Sequence, residues 1–223
     1  MKIYGQNLLV LAPHPDDEIL GCGGLMLKVK ENKGKVHVGL FTCEDSGNSA
    51  INRKSEFLQV MDYMKTDSYE ILFSPKYHLK LDTIPLFDLI QAIEKLVDKI
   101  RPDIFAIPYA SFNQDHKCVY EAAIAALRPA HGDRHIVNHV LVYEYPQIGW
   151  SLYEPSFIPN LYIDISNQII EQKIYAFNLY KSQHKSDEYA ISEKGIKALA
   201  QFRGKEISSA YAESFLLKRS ILT

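Results

Sequence analysis

Short apolar runs alternate with helix-length segments along the first 146 residues of the chain. The apolar runs have the length and composition of strands that are buried on both faces. They cover residues 8–12, 36–42, 69–73, 104–108 and 140–145. The helix-length segments between them cover residues 19–31, 50–64, 86–100 and 119–127. This alternation predicts an α/β fold, a Rossmann-like, doubly wound and mainly parallel sheet with helices on both faces.

The pattern changes after residue 146. A strand is predicted at residues 161–165, and helices are predicted at residues 167–181 and 193–202. No repeat, low-complexity tract or linker divides the chain. We therefore expect a single domain over residues 1–223, with an α/β core at 1–146 and a C-terminal extension of strand, loop and helix at 147–223.

Composition and charge narrow the range of partners. The chain is 47% hydrophobic and 23% charged, with a formal net charge of -2, as in ordinary globular proteins. This balance gives no basic excess for nucleic acid, and no apolar stretch reaches the roughly 18 residues of a membrane-spanning helix. The N-terminus lacks the pattern of a signal peptide, and three cysteines at no ligand-like spacing indicate reduced thiols. We expect a cytoplasmic protein with a small-molecule partner, no nucleic acid and no integral membrane association.

Polar side chains crowd the exit of the first predicted strand. The run His14-Pro15-Asp16-Asp17-Glu18 lies between that strand and the first helix. In doubly wound sheets, ligands bind at the carboxyl ends of strands, where the strand order reverses. His14 and Asp17 are three residues apart and can face the same point. The neighbouring Asp16 points elsewhere, so one carboxylate can bind a metal while the other stands beside it.

A second polar run, Asn113-Gln114-Asp115-His116, follows the fourth predicted strand. If the strand order is the common doubly wound one, strands one and four are neighbours, and His116 lies close to His14 and Asp17. Two imidazoles and a carboxylate with an open position are the ligands that catalytic zinc prefers. The alternative is that the carboxylates cap helices and the histidines lie on the surface. Capping accounts for one carboxylate, but it does not account for the whole His-Pro-Asp-Asp-Glu run.

These runs resemble the signature of a known enzyme family. The segment from His14 to Glu18, with Leu20-Gly21-Cys22-Gly23-Gly24 behind it, is similar to the first motif of the PIG-L/LmbE-like zinc-dependent deacetylases. These enzymes remove acetyl from substrates that contain N-acetylglucosamine. The similarity continues in Arg53, Glu56 and Asp115-His116, and in residues 180–183 and 211–215. It thus covers nearly the whole chain in order.

The resemblance implies a role for each matching position. One zinc ion per chain would be held by His14, Asp17 and His116, and Asp16 would be the general base. Zinc-bound hydroxide would attack the acetamide of a small amino-sugar substrate, which makes the protein a metal-dependent N-deacetylase, an amidohydrolase of linear amides. Arg53 would line the substrate pocket, together with Asn113 and Asp115.

One residue departs from the family pattern. The family usually has a histidine at the position of Asn113, and an asparagine amide can donate a hydrogen bond but cannot deliver a proton. Asp115 would then lose its usual partner. Three outcomes stay open: Asp16 carries out all proton transfers, another histidine such as His184 replaces the missing one in space, or the protein binds zinc and a sugar with weakened catalysis.

Other features leave alternatives open. The aromatic loop at residues 150–157, with Trp150, Tyr153 and Phe157, can stack on a sugar face, bury a long loop or form an interface, so a homo-oligomer stays open. The glycines at 21–24 indicate close helix–sheet packing, because their spacing does not fit a dinucleotide-binding loop. An acidic pair after strand one is also typical of phosphoacceptor receiver domains. Those domains need an Asp after strand three and a Lys after strand five, where this chain has Ser74-Pro75 and Pro146-Gln147.

Overall fold

The computed structural model describes residues 3–44, 52–129, 134–147 and 157–221. In these ranges the chain forms seven β-strands and six α-helices. The strands are β1 (Asn7–Ala12), β2 (Lys35–Leu40), β3 (Ser68–Ile71), β4 (Ile104–Pro108), β5 (His139–Tyr143), β6 (Leu161–Ile165) and β7 (Tyr211–Ser220). The helices are α1 (Asp17–Glu31), α2 (Arg53–Tyr63), α3 (Leu86–Ile100), α4 (Gln114–Ala126), α5 (Asn167–Asn178) and α6 (Glu193–Lys205).

All seven strands join one sheet in the order β3-β2-β1-β4-β5-β7-β6. The first five positions are parallel, and Leu8 of β1 pairs with Ile104 of β4. The strand order reverses beside β1, whose neighbours are β2 and β4. The Rossmann-like, mainly parallel α/β fold is therefore confirmed, as is the expected adjacency of strands one and four.

The strands are apolar along their whole length because both faces of the sheet are covered. In β1, Leu8 and Val10 belong to one buried cluster, and Leu9 and Leu11 belong to the other. The first cluster includes residues of α1, α2, α5 and α6, and the second includes residues of α3 and α4. None of the helices in the described ranges combines the length and apolar composition that crossing a bilayer requires.

The C-terminal third extends the sheet itself. The predicted strand at 161–165 is present as β6, but β7, which the apolar pattern did not predict, lies between β5 and β6 and is antiparallel to both. The reason is that β7 buries polar side chains. Glu213 is 5% exposed and accepts hydrogen bonds from the backbone N–H groups of Gly24 and Leu25 and from Lys173 Nζ. These internal partners make a charged residue compatible with a buried strand.

The glycines of α1 allow this helix to approach the sheet. A Cβ atom on Gly21 would lie 2.1 Å from Cδ2 of Tyr143, and a Cβ on Gly24 would lie 2.9 Å from Cδ of Glu213. The Tyr143 ring is fixed, since its hydroxyl donates a 2.8 Å hydrogen bond to the Leu11 carbonyl. The predicted close packing of this helix on the sheet is confirmed.

Candidate active site

The exits of β1 and β4 bring the three predicted metal ligands together. His14 follows β1 by two residues, Asp17 begins α1, and His116 lies in the first turn of α4. All three are buried, and one ligand atom from each lies within 4.8 Å of the others. Asp17 Oδ2 is 3.5 Å from His14 Nδ1 and 3.3 Å from His116 Nε2. The backbone N–H of His14 also donates to Asp17 Oδ2 at 3.0 Å, which fixes the turn between β1 and α1.

Asp115 bonds to the ring nitrogen of His14 that points away from Asp17. Its Oδ2 lies 2.8 Å from His14 Nε2, and its Oδ1 accepts a 2.9 Å hydrogen bond from the Leu81 backbone N–H. With Nε2 engaged in this way, Nδ1 is the ring nitrogen that faces Asp17. Asp115 was expected to lose its partner and to contact substrate, whereas its carboxylate is fully buried and both oxygens bond to groups of the protein. A carboxylate behind a histidine ligand is the usual way in which metal sites fix the ring orientation.

The charges of these groups suit a bound cation. Burial lowers the pKa of His14, but the hydrogen bonds and charges of Asp115 and Asp17 outweigh it and raise the pKa to about 9. Burial raises the pKa of Asp17, yet His116 and His14 pull it well below the usual range. Two nitrogens and one oxygen that converge in a buried, electronegative site fit a divalent metal with mixed ligands.

Asp16 has an unusual backbone for a residue with a side chain. Its φ of 106° lies in the left-handed region, where residues other than glycine are uncommon. It precedes α1 at the cap position, but its side chain makes no capping hydrogen bond and is buried. Burial, together with the charges of Asp17 and Glu18, raises the pKa of this carboxyl well above its usual range. Helix capping therefore does not explain Asp16, and such strain is commonly found at functional sites.

Arg53 lies at the same edge of the sheet. It begins α2, and Asn52 caps this helix by accepting a 2.9 Å hydrogen bond from the Ser55 N–H. Nε of Arg53 lies 3.4 Å from Glu44 Oε2. The Arg53 charge lowers the pKa of His78 and opposes the rise in the pKa of Asp16, so Arg53 is within electrostatic reach of the metal-ligand cluster.

Asn113 is the N-cap of α4. Its Oδ1 accepts a 2.9 Å hydrogen bond from the Asp115 N–H, and the helix starts at Gln114, five residues before the predicted start at 119. Because the first turn of α4 is polar, the apolar pattern did not indicate this start. The side-chain oxygen of Asn113 thus caps α4, whereas the alternative interpretation of the sequence gave the capping role to the carboxylates.

A third imidazole, which the sequence did not single out, lies beside the cluster. The ring of His78 is half-buried and meets the ring of His14 edge-on, with 5.0 Å between centroids and 76° between planes. Burial and the charge of His14 lower its pKa to about 4. His78 lies between two short 3-10 turns after β3, where no motif marks it. His184 is exposed, and its Nε2 lies 3.0 Å from the Asn178 carbonyl; its described contacts do not reach the cluster.

Aromatic side chains surround the exit of β4. The Tyr145 ring packs on His116 at 5.0 Å between centroids, and its hydroxyl donates a 2.7 Å hydrogen bond to Ser111 Oγ. At the end of the predicted aromatic loop, Phe157 meets Tyr109 edge-on at 5.3 Å. Trp150 and Tyr153 lie outside the described residues, so the role of that loop stays a prediction.

A family model and a relative from Escherichia coli are similar to this chain. The model of the PIG-L family, described as GlcNAc-PI de-N-acetylase, matches residues 9–127, more than half of the chain. The uncharacterized deacetylase YaiS of Escherichia coli K12 is 24% identical over 187 residues, 79% of this chain and 91% of that protein.

Solved structures share the fold at low identity. The N,N'-diacetylchitobiose deacetylase of Pyrococcus horikoshii has a TM-score of 0.73 and 20% identity, over 94% of this chain and 82% of that one. GalB, the 4-carboxy-2-hydroxymuconate hydratase of Pseudomonas putida KT2440, has a TM-score of 0.73 and 17% identity, over 98% of each chain. Since the family model spans the β1 and β4 exits and the residues between them, the chain belongs to the PIG-L (GlcNAc-PI de-N-acetylase) family.

Proposed function

We propose that this protein is a zinc-dependent N-deacetylase that removes acetyl from an N-acetylglucosamine-type sugar or sugar conjugate. The observation that carries the proposal is the convergence of His14, Asp17 and His116 beside the buried, strained Asp16. One zinc ion per chain would be held by these three side chains. When bound, it would supply Lewis acidity, which acidifies water and polarises an amide carbonyl.

Asp16 is the residue that moves the proton. As the oxygen of a water molecule adds to the acetamide carbonyl carbon, the Asp16 carboxylate takes one proton from that water. When the C–N bond breaks, the same proton passes to the leaving nitrogen, and acetate and a free amine are the products. The raised pKa of Asp16 suits both steps, because a carboxyl with an ordinary pKa is a weak base towards water and is rarely protonated near neutral pH.

Arg53 and His78 are the groups that we place on the substrate side. Arg53 is within electrostatic reach of Asp16, and His78 contacts the ring of His14 while remaining partly exposed. A guanidinium and an imidazole can both donate hydrogen bonds to the hydroxyl and carbonyl oxygens of an acylated amino sugar. The deacetylase names of relatives support this substrate class, whereas the hydratase shows that the fold also hosts other reactions.

A second candidate function is a catalytically weakened protein that binds zinc and a sugar. The observation that favours it is the use of Asn113 as a helix cap, since the family pattern has a histidine there. Turnover separates the two candidates, because both require the metal.

The test is acetate release from a panel of N-acetylglucosamine conjugates, with zinc content determined on the same sample. Zinc near one per chain together with acetate release is the expected result. His116→Ala is the matched variant, in which both zinc content and acetate release should fall. Zinc without release from any compound would favour the binding protein, and no zinc after reconstitution would overturn both candidates.

A further inference from the structure

The turn that follows α5 bonds to two residues next to the candidate site, although it contributes no metal ligand. It consists of Tyr180 and the 3-10 turn Lys181–Gln183, and we refer to it as the 180–183 turn. It is far from the first motif in sequence, and the proposed chemistry gives it no role. Its hydrogen bonds nevertheless end on two acidic residues, one beside Asp16 and one beside Arg53.

The first connection runs from Tyr180 to Asp16 through Glu18. The Tyr180 hydroxyl donates a 2.5 Å hydrogen bond to Glu18 Oε1. The other oxygen of the same carboxyl, Oε2, accepts a 3.2 Å hydrogen bond from the backbone N–H of Asp16. Tyr180 and Glu18 are both fully buried, so water does not compete for these bonds. Glu18 therefore joins the 180–183 turn to the peptide group of the proposed base.

That peptide group needs external support. Asp16 has a φ of 106°, and a residue with a side chain holds such a conformation only when its surroundings determine it. The Asp16 carbonyl is held by the N–H groups of Ile19 and Leu20 at 3.0 and 2.9 Å. Glu18 supplies the corresponding restraint on the N–H side. Because Glu18 is itself fixed by Tyr180, the direction of the Asp16 carboxyl depends on the 180–183 turn.

The second connection runs from Ser182 to α2. Ser182 donates through its backbone N–H to Glu56 Oε1 at 3.0 Å and through its hydroxyl to Glu56 Oε2 at 2.6 Å. Glu56 lies three residues after Arg53 and therefore on the same side of α2. These two bonds fix the first turn of this helix, from which Arg53 projects.

We propose that the 180–183 turn is a positioning element that aligns Asp16 through Tyr180 and Glu18 and holds Arg53 through Ser182 and Glu56. The proposal rests on the proposed deacetylase function for its kinetic consequences. Neither Tyr180 nor Ser182 touches the reacting atoms. Misalignment of Asp16 should lower kcat, because it acts on the chemical step, and movement of Arg53 should raise KM, because Arg53 faces the substrate.

Tyr180→Phe tests the first connection. It removes one hydroxyl from a fully buried ring, and we expect kcat to fall about 10- to 100-fold, the loss that a displacement of about 1 Å causes. KM and zinc content should stay near the wild-type values. The backbone amide of Asp16 should exchange its hydrogen faster in NMR measurements, since its acceptor is no longer fixed.

Tyr143→Phe is the matched control. Tyr143 is also fully buried and also donates one hydrogen bond, to the Leu11 carbonyl, but this bond joins β5 to β1. Both variants should lower the melting temperature by a similar few degrees. Only Tyr180→Phe should lower kcat and the protection of the Asp16 amide. An equal loss of kcat in the two variants would mean that Tyr180 is merely structural.

Ser182→Ala tests the second connection, with Ser55→Ala on the exposed side of α2 as its control. We expect KM to rise about threefold to tenfold in Ser182→Ala, the cost of one hydrogen bond, and to stay unchanged in Ser55→Ala. An unchanged KM in Ser182→Ala would remove Arg53 from the proposal.

The amide exchange of Asp16 separates a failure of this proposal from a failure of the proposed function. If the wild-type protein releases no acetate from any substrate, the deacetylase function fails, and the exchange measurement alone decides the positioning role. Wild-type kcat and wild-type Asp16 protection in Tyr180→Phe would overturn the proposal in an otherwise active enzyme.

Discussion

At the residue scale, two adjacent carboxyl groups have opposite environments. Asp17 faces His14 and His116, which pull its pKa far below the usual range. Asp16 is buried beside the charges of Asp17 and Glu18, which raise its pKa. Carboxyl groups whose pKa values are pushed apart in this way take different roles in acid–base catalysis. We therefore propose metal binding for Asp17 and proton transfer for Asp16.

The first prediction follows from that assignment. Asp16→Asn removes the proton acceptor but keeps the size of the side chain, so kcat should fall by about 10²- to 10⁴-fold. Zinc content should stay at the wild-type level, because Asp16 is not among the converging ligands. Steady-state acetate release and metal analysis of the same sample check both parts. A zinc-loaded Asp16→Asn protein with wild-type turnover would exclude Asp16 as the base.

A second prediction concerns Asp115, which contacts His14 from behind. In Asp115→Asn, one of the two acceptor oxygens becomes an amide NH2 group. If the remaining oxygen keeps the Leu81 N–H, the amide can contact His14 Nε2 only as a donor, which puts the ring proton on Nδ1, the nitrogen that faces Asp17. We expect zinc affinity to fall about 10- to 100-fold, the usual loss for such a partner of a metal ligand. Competition with a chelator of known affinity measures this change. Wild-type affinity would mean that His14 is oriented without Asp115.

The ligand residues could be proposed from sequence because residue type, spacing and strand exits all pointed to the same place. His14, Asp17 and His116 indeed converge in the structure. His78 could not be predicted, since its contact with His14 depends on the path of the 3-10 turns after β3, and sequence spacing does not determine that path. The internal partners of Asp115 could not be predicted either, because one of them is the backbone N–H of Leu81, whose position depends on the same turns.

At the scale of elements, the first turn of α4 carries two of the site residues. Asp115 and His116 project from this turn, and Asn113 caps it. The position of His116 relative to β1 therefore depends on where α4 begins. The apolar pattern placed this start at 119, since residues 114–118 are mostly polar. The ends of the parallel strands were predicted to within two residues, and those of α3 were predicted correctly.

A third prediction tests the cap. Asn113→Ala leaves the Asp115 N–H without its acceptor and should lower the free energy of unfolding by about 1 kcal/mol. For a chain of this size, the melting temperature should fall by roughly 2–4 °C. Asn113→Asp keeps an acceptor oxygen and should stay close to wild type. Equal melting temperatures for Asn113→Ala and wild type would show that the cap does not stabilise the helix.

The sheet shows a second limit of pattern-based prediction. β6 was predicted because its residues are mostly apolar, whereas β7 was not, because Glu213 and Ser214 interrupt its apolar pattern. Both side chains are buried against partners that come from other elements: Lys173 on α5 bonds to Glu213, and Glu144 lies after β5 and bonds to Ser214. A buried polar strand is recognisable only when those partners are known.

At the scale of the whole molecule, the C-terminal third is bonded to the two helices that carry Asp17 and Arg53. Glu213 of β7 accepts hydrogen bonds from the Gly24 and Leu25 N–H groups of α1, and the 180–183 turn bonds to Glu18 and Glu56. A change in the cation site should therefore affect the stability of the whole fold. Zinc that binds only the folded state at 100 times its Kd should add about 2.7 kcal/mol to the free energy of unfolding.

The last prediction joins this linkage to pH. In the metal-free protein, His14 has a pKa of about 9 in place of 6.5, and Glu18 has a pKa of about 7 in place of 4.5. A raised pKa stabilises the fold below the ordinary value and loses this contribution as pH rises through the folded value. The metal-free protein should therefore lose the His14 contribution between pH 6.5 and 9, whereas below pH 6.5 the lowered pKa of His78 opposes the effect of Glu18. Zinc must displace the His14 proton, so its binding should tighten over the same interval.

Melting temperatures of metal-free and zinc-loaded protein should diverge as the pH rises from 6.5 towards 9, and His116→Ala should abolish the divergence. A difference that does not change with pH would show that the proton on His14 and the metal do not compete for the same site.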